Sequence, residues 1–192
     1  MTKRLGLDFL EAKFEALSRE LSLGGAGGTQ LIGHRHVVET ITASDSLTAA
    51  DSGKVFLLDA ADETAAVTIT LPQLASGLVG VHYTLCITDA SNGSFVIATG
   101  DETDSTGDMF IGYAMLGADQ VGSTSNGAGG RLVVPAANDS NIVLDANLAD
   151  SGGNAGTTVK LTAISANKWY VEAMIFTADA DSDGTALFII GS

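Results

Sequence analysis

Two stretches decide the fold: "VTITLP", residues 67–72, and "VHYTLCI", residues 81–87. In the first, Val67, Ile69 and Leu71 alternate with Thr68 and Thr70; in the second, Val81, Tyr83, Leu85 and Ile87 alternate with His82, Thr84 and Cys86. A period of two places alternate side chains on opposite faces of an extended strand, so each stretch predicts a sheet with one buried and one wet face. Similar short runs, bounded by Gly, Asn, Asp and Ser, recur along the chain. Strands are expected near Val37–Thr42, Lys54–Asp59, Ala65–Leu71, Val81–Thr88, Phe95–Thr99, Met109–Met115, Arg131–Val134, Asn141–Leu144, Thr157–Ile164, Lys168–Phe176 and Thr185–Ile190. Residues 36–192 therefore read as all-β, an antiparallel β-sandwich or barrel of jelly-roll-like type. Asn92-Gly93 is a strong tight-turn signal and predicts an antiparallel hairpin around it. Pro72 and Pro135 fall at strand ends, where the missing N–H is tolerated. The absence of a convincing repeat of fixed period argues against a β-helix or a propeller.

Residues 1–35 follow a different rule. Leu7, Leu10, Phe14, Leu17 and Leu21 recur at a 3-4-3-4 spacing that stacks them along one face of an amphipathic helix. Glu15 precedes Arg19 by one turn in the favourable order, Asp8 and Glu11 can form a capping box, and Gly24 can end the helix. The glycines from 24 to 28 then act as a hinge. A helix this short is marginal alone in water, so its apolar seam is expected to be ordered by a partner. These five residues are the candidate partner-binding positions, and the chain divides into an arm, 1–35, and a β domain, 36–192.

Charge narrows the functions open to the chain. Its net charge is −14. Residues 1–35 hold five basic and four acidic side chains, whereas 36–192 hold four basic against nineteen acidic, and neither Lys nor Arg occurs between Lys54 and Arg131. Tracking phosphates requires clustered cations, so neither nucleic acid nor an anionic membrane is an expected partner. The acidity reads as a solvated, mutually repelling surface. A single cysteine, Cys86, allows neither an internal disulfide nor a cysteine zinc cluster, and it reads as a small, partly buried side chain. Acids at Asp8 and Glu11 interrupt any apolar signal segment, so no Sec-directed export is expected.

The motifs of catalysis are incomplete. There is no Gly-x-Ser-x-Gly elbow; "GSTSNGAGG", residues 122–130, lacks the Lys and Ser/Thr of a phosphate loop, and a dinucleotide fingerprint fails at Leu132. His34 and His36 would share one face of an extended segment, but two ligands do not make a metal site, and His82 lies on a polar strand phase. Asp179, Asp181, Asp183 and Gly184 match the opening of a calcium loop, yet position twelve is Ile190 where a bidentate Glu belongs. That segment is expected to be an acidic turn. Sugar-processing sites bring aromatic platforms, and the single Trp169 sits in a core-like strand. No catalytic residue, cofactor or metal is expected. The long loops from Gly100, Gly117 and Asp145, rich in small polar residues, suit mobility or subunit contacts better than a small-ligand pocket.

The string from Gly53 to Thr103, "GKVFLLDAADETAAVTITLPQLASGLVGVHYTLCITDASNGSFVIATGDET", together with "VKLTAISANKWYVEAM" at 159–174, resembles structural proteins of tailed-bacteriophage virions. The shared pattern is a strand ending in Asp-Ala, a Thr-rich strand ending in Leu-Pro, a glycine turn, further strands, and a late strand-turn-strand with Trp just after the turn. It covers roughly residues 50–105 and 157–174, and such modules are shared by capsid decoration proteins, head fibres and tail fibres. The resemblance implies a virion protein made in the bacterial cytoplasm. On the capsid surface it would be a decoration or cement protein, contacting the major capsid protein through the arm. The apolar arm and the long, weakly aromatic loops suit subunit contacts, so the chain is expected to pair with itself as a homotrimer, with a dimer as the second choice. A tail-fibre or receptor-binding adhesin is the alternative, made less favourable by loops nearly devoid of aromatics.

Overall fold

The computed structural model describes residues 36–59, 65–89, 94–101, 107–118, 131–145, 152–177 and 187–189. The arm and hinge expected within 1–35, and with them Leu7, Leu10, Phe14, Leu17, Leu21 and His34, lie outside the described residues, as do Asn92-Gly93 and the acidic turn at Asp179, Asp181 and Asp183.

The strands are β1 (Val38–Ile41), β2 (Asp45–Ser46), β3 (Val55–Leu58), β4 (Val67–Thr70), β5 (His82–Ile87), β6 (Ser94–Ala98), β7 (Met109–Ala118), β8 (Arg131–Val133), β9 (Asn141–Asp145), β10 (Thr158–Ser165), β11 (Lys168–Thr177) and β12 (Phe188–Ile189). They form a seven-stranded sheet in the order β1-β3-β5-β10-β11-β7-β8 and a five-stranded sheet in the order β12-β9-β6-β4-β2. Every expected strand has a counterpart here, and β2 is the addition. No barrel closes among the described residues.

Pairing departs from the antiparallel expectation. β1 with β3, β3 with β5, β2 with β4, β4 with β6 and β7 with β11 are parallel, while β5 with β10, β10 with β11, β7 with β8, β6 with β9 and β9 with β12 are antiparallel. The cause is the path of the chain. From β1 to β6 successive strands pass alternately to the seven-stranded and the five-stranded sheet, so the return path between parallel neighbours is a strand of the opposite sheet. Val38 pairs with Val55, Val55 with Thr84 and Val67 with Phe95, so successive coils consume unequal lengths of chain and leave no fixed repeat. The hairpin expected at Asn92-Gly93 is likewise corrected. β5 lies between β3 and β10 and β6 between β4 and β9, so the two strands belong to different sheets. Inward alternation is the same for strands that pair and for strands that face each other across a core, so the turn residues carried no information about which occurs.

The inward phases merge into one core. Val67, Ile69, Phe95, Ile97, Ile142 and Leu144 from the five-stranded sheet meet Phe56, Leu58, Leu85, Phe110, Leu161 and Val171 from the other. Trp169 and Tyr83 anchor it with ring centroids 5.8 Å apart, and Phe56 packs on Tyr83 at 6.3 Å. Trp169 is fully buried, as its strand predicted. Gly112 of β7 is required where it stands: its φ is +124°, and a Cβ there would meet the carbonyl oxygen of Val171 on β11 at 2.1 Å. The outward phases, by contrast, remain open to solvent on both sheets.

Candidate functional site

On β11 the inward residues are Trp169, Val171, Ala173 and Ile175, and the outward ones are Lys168, Tyr170, Glu172, Met174 and Phe176. β7 runs parallel beside it, so Ile111, Tyr113, Met115 and Gly117 fall next to Tyr170, Glu172, Met174 and Phe176. On the far side of β7, Leu132 of β8 is paired with Met115; on the far side of β11, Thr158 and Lys160 of β10 are paired with Met174 and Glu172. The result is an apolar band on the outer face of the seven-stranded sheet over β8, β7 and β11, bordered by Thr158, Lys160 and Glu172. Met115 is 47% exposed, Met174 52%, Leu132 64% and Phe176 40%.

At the centre of the band is a shallow groove of about 310 Å³ lined by Tyr113, Met115, Thr158, Lys160, Glu172 and Met174. The Tyr113 hydroxyl donates to Glu172 Oε1 at 3.4 Å, and the Glu172 charge pushes the Tyr113 phenol above its ordinary pKa. The phenol therefore stays neutral at physiological pH and acts as a hydrogen-bond donor at the groove wall. Flexible thioethers, two tyrosines and a cross-strand Lys160–Glu172 pair form a surface for contact rather than for bond-making.

Neither histidine of the described residues joins this face's apolar band. His36 Nδ1–H donates to the Gly53 carbonyl at 2.9 Å and His82 Nδ1–H to the Gly80 carbonyl at 3.1 Å, and both rings are exposed. Cys86 is half-buried on β5, with the Thr158 hydroxyl 3.9 Å from its sulfur. Among the described residues, no group of three or more His, Cys, Asp or Glu is placed to hold a metal ion, and no helix is long and apolar enough to cross a membrane.

Two polar clusters brace the body. Asp51 Oδ2 accepts from the Thr48 N–H and hydroxyl, Asp51 Oδ1 accepts from Lys54 Nζ at 2.6 Å, and Lys54 also reaches Glu39 at 2.9 Å. The Lys54 and Thr48 hydrogen bonds hold the Asp51 carboxyl down at about 2. The Tyr83 hydroxyl donates to the Thr48 carbonyl at 2.7 Å, tying this corner to the core, and burial pushes that phenol up to about 12. At the loop before β7, buried Asp108 accepts from the Leu74 N–H at 2.7 Å; desolvation raises its pKa. These groups have structural work, and none lines the groove.

The apolar band went unnoticed in the sequence although a signal for it was there. "MFIGYAML" at 109–116 is apolar in both phases, and "WYVEAMIF" at 169–176 is so except at Glu172, a pattern close to that of strands covered on two faces. Compared with known proteins, the chain matches no family model and no curated protein sequence.

Proposed function

We propose that the chain is a structural protein of a tailed-bacteriophage virion, a capsid decoration or cement protein that binds the head surface and stabilises the shell without catalysis. The observation that carries the reading is the outer face of the seven-stranded sheet, where Met115, Met174, Leu132 and Phe176 stand exposed on a tightly packed body. An apolar band of this kind marks a surface for burial against another macromolecule. The resemblance of residues 50–105 and 157–174 to virion modules supports placing that macromolecule in a phage particle. In this reading residues 36–192 serve as a β-sandwich body and residues 1–35 as an arm gripping the major capsid protein through Leu7, Leu10, Phe14, Leu17 and Leu21. Burying each large side chain of that seam contributes about 1.5–3 kcal/mol before the cost of ordering the helix. One arm is then a modest anchor, and several arms on one assembly act together through high effective concentration.

An adhesin or tail-fibre module is the second reading, favoured by the outward Tyr113 and Tyr170, whose rings suit a glycan platform. Immunogold labelling of virions with an antibody against this chain separates the two. Label over the head is the expected result; label confined to the tail transfers the protein to the second reading, and unlabelled virions overturn both. The arm is tested by co-sedimentation with stripped capsids, in which Phe14→Asp combined with Leu17→Asp is expected to abolish binding while the strand-type circular dichroism is kept.

A further inference from the structure

We infer that the outer face of the seven-stranded sheet is covered in solution by the same face of a second copy of this chain, the two related by a two-fold axis. The inference builds on reading this face as an interaction surface and does not require a virion. β7 carries Ile111, Tyr113 and Met115 on its outward phase, and β11 carries Tyr170, Met174 and Phe176 there beside Lys168 and Glu172, so both strands set large apolar side chains on the face away from the core. The Phe176 ring sits against Gly117 and Gly156, where a Cβ would stand 3.8 Å and 3.5 Å from it.

Charge selects the occupant. The chain carries −14, so most ways of bringing two copies together set carboxylates against carboxylates. Glu172 is the only carboxylate among the outward positions of these seven strands, and Lys160 and Lys168 lie on the same face. A two-fold axis running along the strands between Lys160 and Glu172 sets Lys160 of each copy over Glu172 of the other, which makes the face self-complementary. A strongly acidic partner or a nucleic acid would require more than two cations here. A second copy supplies an equal apolar area and its own matching charges. Sheet faces stack in this way inside sandwiches, about 10 Å apart with interdigitating side chains. Such pairing gives a dimer, the second choice after the homotrimer among the assemblies expected from the sequence.

The test uses light scattering coupled to size exclusion on the full chain over a range of concentrations. The wild type is expected at twice the chain mass, and Met115→Glu with Met174→Glu is expected to be monomeric, with association weakened roughly tenfold or more. Met174→Thr, which keeps strand propensity and removes apolar area, is expected to weaken it less, and it keeps the test decisive if the double variant does not fold. Circular dichroism and the fluorescence of Trp169 report the fold of each. A wild-type monomer at high micromolar concentration overturns the inference. So does a trimer, or an assembly that survives both face variants and instead dissociates on Phe14→Asp with Leu17→Asp.

Discussion

The two sheets obey the same alternation and spend their outward positions in opposite ways. On the five-stranded sheet the outward positions are Thr68 and Thr70 of β4, Ser94 and Val96 of β6, and Asn141, Val143 and Asp145 of β9, all half-buried, with Ile189 of β12 exposed at one edge; a groove of about 290 Å³ at the β2–β4 edge is lined by Ser44, Asp45, Ser46, Thr68 and Thr70. On the seven-stranded sheet a groove of about 310 Å³ is lined by Met and Tyr beside a single Lys–Glu pair. Burial of the inward phase is demanded by folding, because each sheet must hide one face. The outward phase is under no such demand. Short hydroxyl side chains there keep a sheet strand-forming and wet; methionines and aromatic rings keep it strand-forming at the risk of sticking. On the proposed reading, contact falls on the face that carries the methionines and solvent on the other.

The largest expected effect lies inside, where the two sheets are alike. Trp169 is fully buried against Tyr83, so Trp169→Ala should cost about 3–5 kcal/mol in urea unfolding followed by circular dichroism. A loss below 1 kcal/mol would mean that the shared core does not hold the sheets together and that their outer faces cannot be compared as faces of one body.

Acid sharpens the comparison next through Asp51 and Asp108, neither of which lines the groove of the apolar band. Asp51 is held at about 2 by Lys54 and Thr48, below its unfolded value of 3.8. A depressed carboxyl contributes stability that is complete above the unfolded pKa and is lost as pH falls from about 4 through about 2. With Lys54 and Asp51 side chains 25% and 22% exposed, solvent screening leaves about 1–2 kcal/mol. Asp108 works in the opposite sense: its raised pKa means that protonation relieves a burial penalty as pH falls. Asp51→Asn should therefore lower stability at pH 7 by that 1–2 kcal/mol and flatten the decline between pH 4 and 2. An unchanged acid limb in the variant would assign the acid sensitivity elsewhere.

How much of this could be read in advance depends on what local chemistry encodes. Val67, Ile69 and Leu71, and Tyr83, Leu85 and Ile87, were assigned to the core by alternation alone, and all six are buried. Partner choice was not legible. The parallel coil from β1 to β6 is fixed by which inward faces fill the core together, and unequal offsets such as Val38 to Val55 and Val55 to Thr84 remove the repeat that would betray it. β2, two residues long and fully exposed, carries no apolar period at all. The candidate contact face was half legible. Tyr113, Met115, Met174 and Phe176 were visible as apolar residues in the wrong phase, but only the register of β7 against β11 shows that they adjoin.

The smallest expected effect is the most direct test of the contrast, because one kind of substitution can be made on both outer faces. Val143, on β9, is half-buried on the outer side of the five-stranded sheet, between Val96 of β6 and the chain at Leu187. Val143→Thr exchanges a methyl for a hydroxyl in a strand-favouring residue on a wet face, so stability should move by no more than about 0.5 kcal/mol and the solution mass not at all. Met174→Thr makes a comparable exchange of apolar for hydroxyl on the other sheet, and there the mass should shift toward monomer while the unfolding of the isolated chain changes little. Both are read by the same scattering and urea measurements. If Val143→Thr dissociated the assembly and Met174→Thr left it intact, the sheet with the hydroxyl-rich face would be the one that makes contact, and the exposed methionines would need another explanation.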